Sequence, residues 1–181
     1  MRHQKRCSTA SVDTQLQIEA VMFSIVPALS EETIAMARTL FREYATTTGV
    51  DVCLVDCDRE LASLPGLYAP PSGRLLLAIQ ESAGSAKEAI GCAALRKFDP
   101  ESCELKRLYV RAAFRGQGAA RQLVKDLIAE GRTIGYQRMV LDTLPSMQEA
   151  QKLYRTFGFR EIPAYMKNPI PESLFFELAL R

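Results

Sequence analysis

The chain has 181 residues, 48% of them hydrophobic and 24% charged, the composition of one globular domain and not of a disordered segment. Lys and Arg number 23 against 21 Asp and Glu, and the formal charge of +2 gives no argument for a basic nucleic-acid-binding face. The longest apolar run, residues 75–79, is far short of the roughly 18 residues a membrane span requires. Neither nucleic acid nor membrane is therefore an expected partner.

The N-terminus carries Arg2, Lys5 and Arg6 with no apolar segment behind them, so it does not read as a secretory signal. Residues 1–16 are expected to be a flexible, solvated arm and residues 17–181 a single domain. The five cysteines (Cys7, Cys53, Cys57, Cys92 and Cys103) are odd in number and scattered, which reads as reduced thiols in a cytoplasmic protein. Cys53 and Cys57 sit four apart, but His3 is the sole histidine and no second ligand cluster exists, so no metal site is expected.

Residues 18–26 have strand-like content and stop at Pro27. Ser30 offers an N-cap, Glu31 and Glu32 suit the first turn, and Ile34, Ala37, Leu40, Phe41 and Tyr44 recur at helical spacing, which predicts a helix over 31–47. Residues 58–64 suggest a short helix closed by Pro65-Gly66. Residues 74–80 and 88–96 read as an antiparallel hairpin, and 103–110 as the next strand. Strict alternation along that strand puts Leu105, Arg107 and Tyr109 on one face and Glu104, Lys106, Leu108 and Val110 on the other. A helix follows from Ala120 to a stop at Gly135, with Leu123, Val124, Leu127 and Ile128 on one stripe. Residues 138–143 read as a buried strand. Ser146 and Glu149 match a capping box, Ala150, Leu153, Tyr154 and Phe157 form a helical stripe, and Gly158 is placed to end it. Strands over 159–165 and 173–180 close the chain. The order β-α-(α)-β-β-β-α-β-α-β-β predicts a mixed α/β fold, a sheet with helices on its faces.

The most informative segment is the strand, glycine loop and helix from Leu108 to Leu127. Gly116 and Gly118 let the backbone approach a ligand closely, because no Cβ stands in the way. The first helix amides lack intrahelical acceptors and carry partial positive charge, so they suit an anion such as a diphosphate. Arg115 can fork onto a phosphate. Gly118 is followed by Ala119-Ala120 and not by the Lys-Ser/Thr of a P-loop, and Arg121 occupies the last glycine position of the dinucleotide fingerprint. On these residues alone, a tight β-to-α turn with no ligand stays equally open.

Arg115-Gly116-Gln117-Gly118-Ala119-Ala120 resembles the Arg/Gln-x-x-Gly-x-Gly/Ala signature of the GNAT superfamily of acyl-CoA N-acyltransferases. The preceding Leu108-Tyr109-Val110 looks like the end of that family's fourth strand. Ala150-Gln151-Lys152-Leu153-Tyr154 with Gly158-Phe159 is similar to its Ala-x-x-Leu-Tyr-x-x-x-Gly-Phe signature. The resemblance implies a mixed, mostly antiparallel sheet of six to seven strands, splayed between strands 4 and 5, with acetyl-CoA as cosubstrate in the opening. It implies that Arg115, Gly116, Gln117, Gly118, Ala119 and Ala120 hold the diphosphate and that the Leu108, Tyr109 and Val110 segment meets the pantetheine arm. Met147 stands where many members carry Asn; either that polar contact is absent or Ser146 supplies it.

The implied activity is transfer of an acetyl group from acetyl-CoA to a primary amine in a ternary complex. Amine attack on a thioester needs a deprotonated nitrogen, a donor for the developing oxyanion and, to a smaller degree, an acid for the thiolate. Glu104 is the candidate base, or else a carboxylate paired with Lys106 or Arg107. The Val110 amide is the candidate oxyanion donor. Tyr154 is the candidate acid by transfer from the family motif, with its ring on the apolar stripe. The acceptor, a small molecule or a peptide, is expected near Tyr44, Asp56, Asp58, Glu60, residues 64–68, Tyr165 and Asn168. Many relatives form homodimers. A non-catalytic acyl-CoA-binding sensor or scaffold is the alternative.

Overall fold

The structure, a computed structural model, describes residues 22–48, 52–81, 87–167, 170 and 172–181. The expected arm over 1–16, Cys7, Gly49 and Asn168 lie outside the described residues, as do the side chains of Cys53, Asp56 and Cys57.

In chain order the elements are β1 (Phe23–Pro27), α1 (Glu31–Thr48), α2 (Val52–Ser63), β2 (Arg74–Gln80), β3 (Glu88–Lys97), β4 (Ser102–Val110), α3 (Ala119–Ile134), β5 (Arg138–Thr143), α4 (Gln148–Thr156), β6 (Arg160–Ile162) and β7 (Leu174–Ala179). The seven strands form one sheet in the order β1-β2-β3-β4-β5-β7-β6, and only the β4–β5 pair is parallel. This is the expected mixed, mostly antiparallel sheet.

Local chemistry explains most boundaries. Ser30 caps α1: the Thr33 N–H donates to Ser30 Oγ at 3.2 Å, and the Ser30 N–H donates to Thr33 Oγ1 at 3.0 Å. α3 ends where Gly135 takes φ 102° and its N–H returns to the Gly131 and Arg132 carbonyls. The run 75–79 is buried on both faces. Leu75, Leu77 and Ile79 pack with Ala37, Leu40 and Phe41 of α1, and Leu76 and Ala78 pack with Leu123, Val124 and Leu127 of α3.

Three expectations need correction. α2 begins at Val52, six residues before the predicted start. The Ser146–Glu149 capping box does not form: α4 is capped by Met147, one residue later, without a side-chain bond. A turn held by the Met147 N–H on the Leu144 carbonyl sets that later start, and the Gln151 side chain donates to the Leu144 and Pro145 carbonyls.

The third correction concerns β4. Lys106 pairs with Ala94 and Tyr109 with Cys92, so Arg107 and Leu108 together oppose Ala93. This is a β-bulge, and Arg107 occupies the left-handed region at φ 57°. The extra residue inverts the alternation. Leu105 and Val110 both belong to the α3-side core, with Leu108 packed on it, while Tyr109 packs on the α1 side. Glu104 and Lys106 therefore do not share a face with Leu108 and Val110.

Candidate active site

β4 and β5 pair only at Ser102–Arg138, Cys103–Met139 and Glu104–Val140. Beyond Glu104 they diverge, because β5 stays hydrogen-bonded to β7 along its length while β4 stays with β3. The wedge between them opens into a cleft of about 100 Å³. Its walls come from β4 (Leu105 to Leu108), from the end of β5 (Asp142, Thr143), from α4 and its approach (Met147, Ala150, Tyr154) and from Tyr44 of α1.

The cradle lies beyond the end of β4. The Arg111 N–H donates to the Ile90 carbonyl at 2.9 Å, which makes 90–111 the hydrogen-bonded pair of the antiparallel ladder. Val110, one step earlier and opposite Gly91, turns its N–H and C=O away from β3 toward the wedge. Its carbonyl accepts Arg115 Nε at 3.0 Å, so the Arg115 side chain folds back on the strand. Gly116 and Gly118 have φ of 77° and 91°, and a Cβ at either would meet nothing within 4 Å. Among the described residues, no acceptor takes the backbone N–H groups of residues 116–121. This open, donor-lined concavity at the head of a helix of 16 residues suits a diphosphate. The Tyr109 side chain points elsewhere, with Oη 3.5 Å from Glu43 Oε2 and its ring tilted against Tyr44.

Tyr154 reaches the cleft from the α3 side of the sheet. Its ring packs against Phe159 and Phe176. Burial raises its pKa well above the ordinary phenol value, aided by nearby Tyr44 and Asp142. Among the described residues none bonds its hydroxyl, which is not sealed off as an unpartnered buried atom, and Tyr154 lines the cleft. A buried phenol that stays protonated and opens onto the cleft has the form of a proton donor.

Glu104 is wholly buried and lies off the cleft wall. Arg96 holds Oε2 with both Nε and Nη2 at 2.6 Å. Tyr165 Oη donates to Oε1 at 2.9 Å, and Lys106 Nζ stands 3.6 Å from the same oxygen. The main partner is Arg96, from the neighbouring strand, and not Arg107. Arg107 instead bonds Glu60 of α2 and lies over the Phe41 and Tyr44 rings, which holds the bulge against the helices. Of the expected acceptor residues, Tyr44 lines the cleft, whereas Glu60 and Tyr165 stand behind it as partners of Arg107 and Glu104.

Asp142 and Thr143 are among the cleft residues that were not anticipated. Asp142 Oδ1 accepts Lys106 Nζ at 2.7 Å across the wedge, and the Thr143 hydroxyl lies 3.6 Å from Met147 Sδ. The available signal was a carboxylate in an otherwise apolar strand, pointing off the face that Met139 and Leu141 bury. Among the described residues no group of His, Cys, Asp and Glu could hold a metal, and no helix is long and apolar enough to cross a membrane.

Residues 34–159 match the model of the Acetyltransferase (GNAT) family. The chain belongs to that family, a class of acyltransferases. It is 39% identical over 144 residues to an uncharacterized N-acetyltransferase of Schizosaccharomyces pombe, covering 79% of this chain and 86% of that one. It is 28% identical over 147 residues to the N-acetylaspartate synthetase of Danio rerio, covering 75% of this chain and half of that protein. In fold it resembles a GNAT family acetyltransferase from Elizabethkingia anophelis solved with acetyl-CoA bound, with a TM-score of 0.60, 24% identity, and 87% and 97% of the two chains covered.

Proposed function

We propose that this protein transfers the acetyl group of acetyl-CoA to a primary amine by direct attack in a ternary complex. The observation that carries the reading is the junction of two features: a parallel strand pair that splits after Glu104 and Val140, and the unengaged amides of residues 116–121 beside the split. Acetyl-CoA supplies an activated thioester. The chain's residues supply orientation, an oxyanion donor and proton transfers.

In this reading the loop amides hold the diphosphate, and Leu108 to Val110 line the pantetheine arm. The Val110 N–H, turned toward the wedge, donates to the thioester oxygen as charge develops there. Tyr154 protonates the departing thiolate. The amine's proton leaves to a carboxylate or through water. Glu104, the expected base, has both oxygens engaged and no cleft surface. Asp142 is the carboxylate on the wall, so the base role moves to Asp142, directly or through one water. The relative named N-acetylaspartate synthetase supports an acceptor at the small-molecule end of the amine range.

The test is thiol release from acetyl-CoA on adding amines. Amine-dependent release by the wild-type protein is the expected result. Tight acetyl-CoA binding with no release toward any amine would leave a binding module in place of an enzyme.

A further inference from the structure

We propose that the acceptor is a free α-amino acid, taken as its zwitterion by the Lys106–Asp142 ion pair at the apex of the wedge, with Asp142 receiving the ammonium and Lys106, backed by Arg107, receiving the carboxylate. This rests on the transferase reading above and names its substrate class.

Among the described residues, three ionised side chains line the cleft: Lys106, Arg107 and Asp142. Their remaining carboxylate partners are off the wall. Glu60 holds Arg107 from the α2 side, and Glu104 lies buried beneath Lys106. The wall thus presents two cations and one carboxylate. A plain alkylammonium can answer Asp142 but brings nothing to Lys106 or Arg107, whose other carboxylates, Glu104 and Glu60, stay behind the wall. An amine with a carboxylate beside it meets each wall charge with its opposite.

The dimensions agree. Lys106 Nζ and Asp142 Oδ1 are 2.7 Å apart. In an α-amino acid the nitrogen and the carboxylate carbon are about 2.5 Å apart by standard bond lengths and angles. A zwitterion laid antiparallel to the ion pair closes a ring of four alternating charges. Both pair members are only partly exposed, with 19% and 16% of their side-chain surfaces in solvent, so water screens the ring weakly.

The position also fits. Lys106 is two residues beyond Glu104 and Asp142 two beyond Val140, the last paired residues of the two strands. A nitrogen held at Asp142 sits where the wedge opens, in the same cleft that Tyr154 reaches from the opposite face of the sheet. A protein lysine tip or a peptide N-terminus brings no carboxylate next to its nitrogen. Either would draw Asp142 away and leave Lys106 to the longer 3.6 Å contact with Glu104.

The experiment compares thiol release by the full chain across a panel of free α-amino acids, the α-amide and the decarboxylated amine of each, and a lysine-containing peptide. At least one amino acid is expected to exceed its amide and its decarboxylated amine by about 100-fold in kcat/KM. Lys106→Met should remove about tenfold or more of that preference, mainly through KM, and Lys106→Arg should restore most of it. Equal or faster turnover of the decarboxylated amines or of the peptide overturns the inference and leaves the transferase reading intact. So does a Lys106→Met variant that binds acetyl-CoA normally and keeps the wild-type KM and preference, since the pair would then only brace the wedge. Absence of release with every amine while acetyl-CoA binds refutes the transferase reading and this inference with it.

Discussion

Gly118 gives the most direct test of the diphosphate cradle, because a matched control exists in the same helix. Gly118 and Gly135 flank α3 with φ of 91° and 102°, and neither position crowds a Cβ: nothing lies within 4 Å at Gly118, and only Arg181 Nη2, at 3.7 Å, at Gly135. Alanine at either site therefore costs only the left-handed backbone penalty of about 1–2 kcal/mol. For a domain of this length that is a fall in Tm of roughly 2–8 °C, similar for both variants. Ligand binding should separate them. At Gly135 a methyl group is remote from the cradle. At Gly118 it projects into the space beside the unengaged amides, and Gly118→Leu fills that space. Displacing a diphosphate from two charge-assisted hydrogen bonds removes about 3–6 kcal/mol, which is roughly 10²–10⁴-fold in affinity. Calorimetric titration with acetyl-CoA, paired with thermal melts, reads both quantities. Gly118→Leu should bind at least 100-fold more weakly than wild type, Gly118→Ala about tenfold more weakly, and Gly135→Ala should bind normally. Wild-type affinity in Gly118→Leu, or an equal loss in Gly135→Ala, would refute the assignment of this loop to the diphosphate.

Tyr154→Phe should lower kcat about 10–100-fold, the small end for an acid because a thiol of pKa about 8.5 leaves readily without one; acetyl-CoA affinity and Tm should hold, since the ring contacts with Phe159 and Phe176 survive. Unchanged turnover removes Tyr154 from the mechanism. Glu104→Gln leaves Arg96 without its buried counter-charge at a cost of about 3 kcal/mol, or roughly 6–12 °C in Tm. Below the variant's melting range Asp142→Asn should cost more kcat/KM than Glu104→Gln; the reverse order, with an unchanged Tm for Glu104→Gln, returns the base role to Glu104. The Glu43 carboxyl is held below its ordinary 4.5, chiefly by its hydrogen bond with Arg111. A depressed carboxylate contributes stability above its unfolded value and loses it as the pH falls through the folded one. Urea unfolding between pH 7 and 3 should therefore show a shallower acid limb for Glu43→Gln than for wild type, and parallel limbs would count against the pair.

Much of this architecture was legible from residue patterns, and the failures share a cause. Residues 74–80 and 138–143 match their predicted boundaries because turn or glycine signals bracket each run. Gly116 and Gly118 announced the loop because only a backbone with no Cβ takes those angles comfortably. What escaped was set by contacts that residue patterns do not announce, some local and some distant in sequence. Ser146 looked like a cap, but the turn over 144–147 and the Gln151 side chain start α4 one residue later. Glu104 read as a candidate base or as a carboxylate paired with Lys106 or Arg107, but Arg96 on the next strand and Tyr165, 61 positions away, close over it.

The bulge is the deepest of these cases, because it governs the chemistry of the wall. Under strict alternation Lys106 and Arg107 face opposite sides of the sheet, and no single surface there carries two cations. With Arg107 at φ 57° both enter the same cleft: Lys106 reaches Asp142 across the wedge, and Arg107 rests on Glu60 and the α1 rings. The same inversion sends Leu108 and Val110 to the α3 side and turns the Val110 amide toward the opening. A left-handed residue with a long side chain is strained, and it persists because Glu60 and the two rings hold it there. On the proposed reading, one added residue in β4 both aims the oxyanion donor and assembles the charge pattern that would select the acceptor, which ties the acceptor's identity to the same backbone irregularity that shapes the thioester site.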